Sequence, residues 1–538
     1  MLKNVQKKLV RFIDTGLKQQ SLSAWLGILA IFALFLRLPL LTDSFWLDEA
    51  AQALEVIRPW REQLNIAADF QPPLFHLILH LWQYIGHQEW WLRSVSLLSG
   101  LGSVMIFSAL AWRWQGRRAG VIVGLLLATS SLHVFFSQEL RPYMLAVFWG
   151  SLAMVSYWSI LFPQDGLKSL LSTKSSWPQL SKRTAFISLT LANLAGGLTS
   201  YVYLFFIVTQ VLTSWLVGRR RAWLISKSVV LTGLAWLIWL PGLLSQLAAS
   251  SALRTMVPDW EKVVSLTQAK ALPLTVAKFW VGVLPIDLVW SDAIIVILPC
   301  IFVFYLGIKY WQSSAESAKK QLLTLLSLLV LTLATSWLFS FWTPVISPKR
   351  VLFLLPLMYW VIGLVTRQKH WLAGLLVIYA LGLNLFSLAK YWQDPALQRE
   401  NWRSAISNLE ARYQPNDTVV VFGFDAPFAP WEWYQQKNLP THTTGFKPLT
   451  SPESALQALS DLPQAENVIL FDYLLDLSDP AHFVSKGLES KGYQLMDVLD
   501  YPNLGFIRLY YQKRLYARQE LNSKTNYVYQ EFSSGTKL

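Results

Sequence analysis

Two adjacent carboxylates, Asp48 and Glu49, stand in the stretch FWLDEAAQALEVIRPW at 45–60, just after the apolar run at 25–41. Trp46, Leu47, Ala50 and Ala51 flank them, so the pair sits in an apolar setting near a membrane edge. Low dielectric disfavours the charged carboxylate and strengthens its hold on a proton. That suits a general base acting on a hydroxyl or amine. Two adjacent acids in a loop are ordinarily just solvated; an ionisable group at a membrane edge is a functional candidate. A second cluster is SQELRPY at 137–143, where Glu139 and Arg141 lie two residues apart before Pro142. It reads as a local ion pair holding a turn, or as a polar cluster with Arg141 available for phosphate. The third is ISPKRVLFLLP, with Lys349 and Arg350 at the edge of a span. These read as interfacial snorkelling cations or as an anion site at headgroup level.

The elements that position these groups follow from composition. The chain of 538 residues is 54% hydrophobic and 14% charged, against about 25% charged in soluble domains. Apolar runs fall at 22–41, 94–112, 119–137, 143–162, 185–200, 201–217, 224–245, 290–308, 322–341, 351–366 and 371–389. Runs of ~20 apolar residues match the thickness of a bilayer core. The class is therefore an α-helical polytopic membrane protein with about eleven spans. The net charge of +14 is read as positive loop charge, not as a nucleic-acid surface. The single cysteine, Cys300, excludes an intrachain disulfide. The basic N-terminus lacks the cleavage site of a signal peptide. There is no P-loop, GxGxxG, zinc-ligand spacing or internal repeat.

A twelfth run, PPLFHLILHLWQYIG at 72–86, decides the side of everything after it. If it does not cross and the N-terminus is cytoplasmic, the basic loops at 1–21, 113–118, 163–184, 219–227, 309–320 and 367–369 all fall inside. That is what the positive-inside rule requires. The run is also short and carries His76, His80 and Gln83. We read it as a helix at the outer surface. Five external segments follow: the first loop 42–92, the turn 137–143, the turn near Tyr201, a long loop at 247–289, and 343–350. The chain after residue 390 is external too. There NDTVVVFGFD and ENVILFDYLL read as buried strands, AHFVSKGLESKGY as a helix and LGFIRLYY as a last strand. The expected organisation is a basic N-terminus (1–21), a transmembrane domain (22–389), a small extracytoplasmic α/β domain (390–512) and a polar tail (513–538).

In order and spacing, FWLDEA, DFQPPLFHLILHLWQYIG, WWLRSVSLLSGL, FFSQELRPYMLAVF and SPKRVLFLLP resemble the membrane glycosyltransferases of the GT-C superfamily. More narrowly they are similar to bacterial relatives of the dolichyl-phosphate-mannose protein mannosyltransferases and of the lipid A aminoarabinose transferases. The resemblance covers about residues 25–390. It implies that Asp48 is the catalytic base, with Glu49 beside it, and that Glu139 and Arg141 shape the acceptor and donor-phosphate site. It implies that Lys349 or Arg350 binds phosphate, and that Gln71, Tyr143, Tyr201 and Tyr203 face the cavity. Relatives carry His where this chain has Gln71 and the TSYVY turn, and Pro-Arg-Tyr where it has PKRV. The missing histidines weaken a metal site; no metal ligand is assigned, although the resemblance leaves room for a divalent cation.

The expected activity is an inverting glycosyltransferase of the inner (cytoplasmic) membrane, with its site on the external face. It would move a sugar from a polyprenyl-phosphate carrier to a glycan, lipid or protein acceptor. No nucleic acid is involved. The alternative is a lipid or glycolipid transporter or flippase, but such proteins carry midplane ionisable residues and broken helices, whereas here the ionisable groups gather at one face.

Overall fold

Backbone groups that leave water must bond within their own segment, so apolar runs of this length become helices. The computed structural model describes residues 21–67, 69–163, 180–256, 268–286, 290–368, 370–423, 428–445 and 447–512. Each of the eleven expected runs contains a helix. Among the described residues six helices are long and apolar enough to cross a membrane, including Glu89–Gln115, Glu316–Ser340 and Trp371–Gln393. The pair Arg117–Thr129 and Ser131–Ser137, bent by 60°, is a seventh if it counts as one span. Three more expected spans are shorter apolar helices: Leu22–Phe35, Tyr203–Val217 and Leu352–Val365. The expectations for the basic N-terminus, for most of the loop 163–184 and for the polar tail lie outside the described residues.

The bend at Ser130 strips carbonyls of their helical partners, and a buried arginine replaces them. Arg37 donates to Leu127 O (3.3 Å), Ala128 O (3.2 Å) and Ala33 O (2.8 Å). Its Nη2 also lies 2.9 Å from His133 Nδ1, whose ring reaches Ser103 Oγ at 3.0 Å. Kinks of this kind have such identifiable partners. Arg37 therefore serves the backbone, and the His133 ring is held between Arg37 and Ser103.

The run at 72–86 forms the helix Leu74–Trp82 of nine residues, about 13 Å long and too short to span. Its first N–H bonds Leu198 O at 2.9 Å. After its end, Trp82 and Trp91 stack at 5.1 Å and each indole donates to the other's carbonyl at 3.1 Å. The expected long loop at 247–289 is corrected: the helix Leu240–Met256 runs into it and the helix Gln268–Val281 lies within it. The second buries Ala271, Ala277, Phe279 and Trp280. Lys270, Pro273 and Lys278 interrupt its apolar pattern and hid it in the sequence.

The chain divides into two compact units. The first holds the chain up to Thr42, Glu55–Ala249 and the later helices as far as Leu397; the second holds Asp43–Leu54, a stretch after Ser250 and the chain from Gln398 on. The second unit is built on a five-stranded sheet of order β2-β1-β3-β5-β4. The strands are β1 (Thr418–Phe422), β2 (Thr441–Thr443), β3 (Asn467–Phe471), β4 (Tyr493–Tyr501) and β5 (Gly505–Gln512). β1 pairs parallel with β2 and β3, while β5 runs antiparallel to β3 and β4. Because strand side chains alternate, Val420, Phe422, Ile469 and Phe471 pack on the helix Trp402–Arg412. Val419, Val421, Val468 and Leu470 pack on the other face against the helices Pro452–Ala458 and Phe483–Ser490. The sequence located β1, β3, β5 and Phe483–Ser490 but not β2 or the exposed edge strand β4, whose first residue, Tyr493, the expected helix absorbed.

Candidate functional site

Asp48 and Glu49 open the helix Leu47–Val56, where the positive end of the helix dipole favours carboxylates. Side chains of successive helical residues diverge by about 100°, and the two acids part accordingly. Glu49 is fully buried, with Oε2 3.5 Å from Arg399 Nε. Asp48 is partly exposed, and among the described residues none hydrogen-bonds its carboxylate. The segment before it is held in the second unit by Tyr434 OH at 2.6 Å from Phe45 N and by Arg403 N donating to Ser44 Oγ at 3.1 Å. Glu400 lies close enough to feel Asp48. It accepts from Trp402 Nε1 (2.6 Å) and Tyr473 OH (2.8 Å). Burial pushes its carboxyl up; those two bonds and one from the Leu47 backbone oppose the rise, and the Asp48 charge adds to it. Removing one partner of a buried ion pair typically costs about 3–5 kcal/mol. Glu49→Gln is therefore expected to lower the thermal unfolding midpoint, and Glu49→Leu with Arg399→Met to recover most of the loss. An unchanged midpoint in Glu49→Gln would show that the pair has no structural weight.

The remaining expected residues belong to the first unit. Glu139 is buried in the turn between Ser131–Ser137 and Tyr143–Leu161. Arg141, 8% exposed, donates from Nη1 to Asp69 Oδ1 at 3.1 Å. Tyr143 starts the next helix, and Lys349 Nζ sits 5.6 Å from its ring centroid. Arg350 spends Nη1 on its own turn, on Pro344 O at 2.8 Å and Val345 O at 3.4 Å. Lys349 thus lies beside Tyr143, two residues after Arg141 in sequence, while Arg350 holds its own loop.

Tyr201 and Gln71 meet through a residue the sequence did not mark. Gln246 accepts from Tyr201 OH, and its Nε2 donates to Ile66 O (2.9 Å) and Gln71 O (2.8 Å). Trp239 Nε1 donates to Tyr201 OH at 2.9 Å. Gln246 thereby pins the loop carrying Asp69. In that loop Phe70 holds φ at 54°, a left-handed conformation costing roughly 1–2 kcal/mol of the kind that collects at functional sites. Tyr203, by contrast, is a core residue: fully buried, packed on Phe206 and Phe353, with OH 3.4 Å from Asn193 Oδ1. A Cβ at Gly196 would lie 2.3 Å from its ring, so only glycine admits it there.

Three polar residues beside Arg141 also escaped the sequence reading as site residues: Asp69, Glu55 and His76. Glu55 Oε2 lies 3.9 Å from His76 Nδ1. Burial pushes the Glu55 carboxyl up to about 7; the Asp69 charge reinforces this, and Arg58 and Arg141 oppose it. Burial, then Arg58 and His80, push His76 down to about 4. At neutral pH His76 is uncharged, so this contact is not a full ion pair despite its distance. Gln63 Nε2 closes the end of the Glu55 helix by donating to Glu55 O (3.2 Å), Val56 O (3.3 Å) and Arg58 O (2.6 Å).

The Glu55 shift has a sign. A folded-state value raised from 4.5 to about 7 contributes stability that is complete below 4.5 and lost as pH rises through 7. His76, lowered from 6.5 to about 4, contributes stability that is lost as pH falls through that range. Glu55→Gln removes the first effect and keeps the second. Relative to the parent, its stability should rise between pH 5 and 8 by no more than about 3 kcal/mol. A pH-independent difference in unfolding midpoint would show that Glu55 titrates normally.

Asp69 is engaged by Arg141, His76 faces Glu55, and among the described residues no three His, Cys, Asp or Glu side chains converge on a metal position.

Compared with solved structures, the chain is similar to ArnT from Cupriavidus metallidurans bound to undecaprenyl phosphate, with a TM-score of 0.51 and 13% identity over 91% of this chain and 98% of that one. It is also similar to the oligosaccharyltransferase of Archaeoglobus fulgidus in complex with Zn and sulfate, with a TM-score of 0.50 and 12% identity over 90% of this chain and 72% of that one. No protein-family profile and no curated protein sequence matches it. Both neighbours are GT-C enzymes, and the fold is of the GT-C type: a polytopic helical membrane protein with a small C-terminal sheet domain.

Proposed function

We propose that the protein is an inverting glycosyltransferase that takes a sugar from a polyprenyl-phosphate carrier at the external face of the cytoplasmic membrane. The observation that carries this reading is the Arg141–Asp69 pair with Lys349 near Tyr143, at one end of a bundle that shares the fold of an enzyme solved with undecaprenyl phosphate. Asp48 removes the proton from the acceptor hydroxyl or amine. The acceptor atom then attacks the anomeric carbon, and the bond from that carbon to the phosphate oxygen breaks. The polyprenyl phosphate leaves with the electron pair. Arg141 and Lys349 stabilise the charge growing on it, as fixed cations do at phosphoryl groups. Lys349 takes this role over Arg350 because Arg350 is committed to turn carbonyls. Gln71, Tyr143 and Tyr201 line the acceptor side, and Glu139 shapes the turn behind Arg141.

The orientation is testable by itself. In a Cys300→Ser background, a cysteine at exposed Lys320 should resist impermeant reagents in intact cells and react after permeabilisation. Labelling in intact cells would place Arg141 on the wrong side. The substrate class is tested by comparing lipid-linked sugars and surface glycans in cells with and without the gene. Accumulation of one polyprenyl-phosphate sugar with loss of one glycan decoration is expected; identical profiles would contradict the proposal.

A further inference from the structure

A cleft of about 410 Å³ opens in the first unit, bordered by Arg113, Lys182, Arg220 and Arg221. Arg113 lies near the end of Glu89–Gln115, and the other three lie at the starts of Lys182–Gly197 and Arg219–Trp236. Arg141 precedes the first residue of Tyr143–Leu161, whose far end contributes Ile160 to the cleft, and Tyr201 follows the far end of Lys182–Gly197. The cleft is therefore at the opposite end of the helices from Arg141 and Tyr201, and it plays no part in the proposed reaction. None of the described residues bordering it is acidic, and the rest of its wall is largely apolar, including Ile160 and Leu224.

We infer that this cleft binds the headgroup of an anionic membrane lipid, with the cations on its phosphate and the apolar wall along its upper acyl chain. Cations at the ends of spans ordinarily snorkel into headgroups without forming a site. Here two of the four are fixed. Arg221 Nη1 donates to Leu161 O at 2.6 Å, and Arg113 lies over the Trp114 ring at 5.1 Å. A preoriented guanidinium loses less freedom on meeting phosphate. Basic pockets between spans are the geometry that recognises anionic headgroups. A free phosphate ion would use the cations but leave the apolar wall in water, so the amphiphile is the better match.

The test uses the full-length protein in detergent, with native mass spectrometry and thermal unfolding. Phosphatidylglycerol is titrated in, with phosphatidylcholine and inorganic phosphate in parallel. Phosphatidylglycerol should be retained and should raise the unfolding midpoint; the other two should do neither. The exposed residues Lys182 and Arg220 are the ones to change. Each near-surface cation contributes about 1 kcal/mol, so Lys182→Gln or Arg220→Gln should weaken binding about fivefold and the double change roughly 30-fold. The lipid-free midpoint of each variant checks its folding, and Arg113→Gln provides an independent change. Equal retention of phosphatidylglycerol by parent and folded variants would overturn the inference. So would protection by phosphate ion or phosphatidylcholine as strong as that by phosphatidylglycerol.

Discussion

Asp48→Asn is expected to leave the protein folded and membrane-inserted while reducing turnover by ~10²–10⁴-fold, the usual weight of a general base. The amide keeps the shape of the carboxylate and one accepting oxygen but cannot take a proton. Folding should survive because Asp48 is partly exposed and anchors nothing among the described residues. Its neighbour behaves differently. Glu49 is enclosed with Arg399, so Glu49→Gln should reduce the amount of folded protein and leave the rate per folded molecule near the parent's. Normal turnover in Asp48→Asn with a dead but stable Glu49→Gln would exchange the two roles. Normal turnover in both would remove the carboxylate-base mechanism.

Arg141→Ala is expected to lower kcat/KM for the donor by roughly 10–150-fold, from the loss of a charge-assisted bond of about 1.5–3 kcal/mol to phosphate. A second effect accompanies it, because the change also takes the guanidinium away from the buried Asp69 carboxylate. Its cost to folding should be recovered by adding Asp69→Asn, while the loss of donor use should not. That separates the structural role from the phosphate role. Arg141→Lys should recover only part of the activity, since an ammonium cannot form a fork. Lys349→Ala should weaken donor use without a large change in the unfolding midpoint. If apparent donor affinity is unchanged in both Arg141→Ala and Lys349→Ala, neither residue binds the phosphate.

The helices were legible because apolar length is a strong, local signal, and the helix Leu74–Trp82 stood apart because it is too short and too polar to cross. The helix Gln268–Val281 was illegible because two lysines and a proline break its pattern, and only packing reveals the apolar face it buries. The edge strand β4 was lost because its residues are mostly exposed, so no buried face marks it. Among the candidate residues, adjacent carboxylates and a turn with Glu139 and Arg141 announce themselves. Gln246 does not, since an amide that clamps a loop from 175 residues away looks like any polar residue on a helix. Glu55 had one readable signal, a position seven residues after Asp48, which is two helical turns. Asp69 stood two residues before Gln71 in DFQPP, but its pairing with Arg141 is a tertiary fact. Tyr203 differs from Tyr201: the resemblance at the TSYVY turn implies a place on the cavity for both, and the helix start turns the Tyr203 ring into the core.

The most direct measurement is turnover of a radiolabelled polyprenyl-phosphate sugar by the purified protein, with a membrane extract as acceptor source and the anomeric configuration of the product determined by NMR. The account predicts release of polyprenyl phosphate in proportion to sugar transferred, inversion at the anomeric carbon, and near-complete loss of both in Asp48→Asn. Failure to turn over any polyprenyl-phosphate sugar, with the same protein moving the intact lipid across a proteoliposome bilayer, would contradict it.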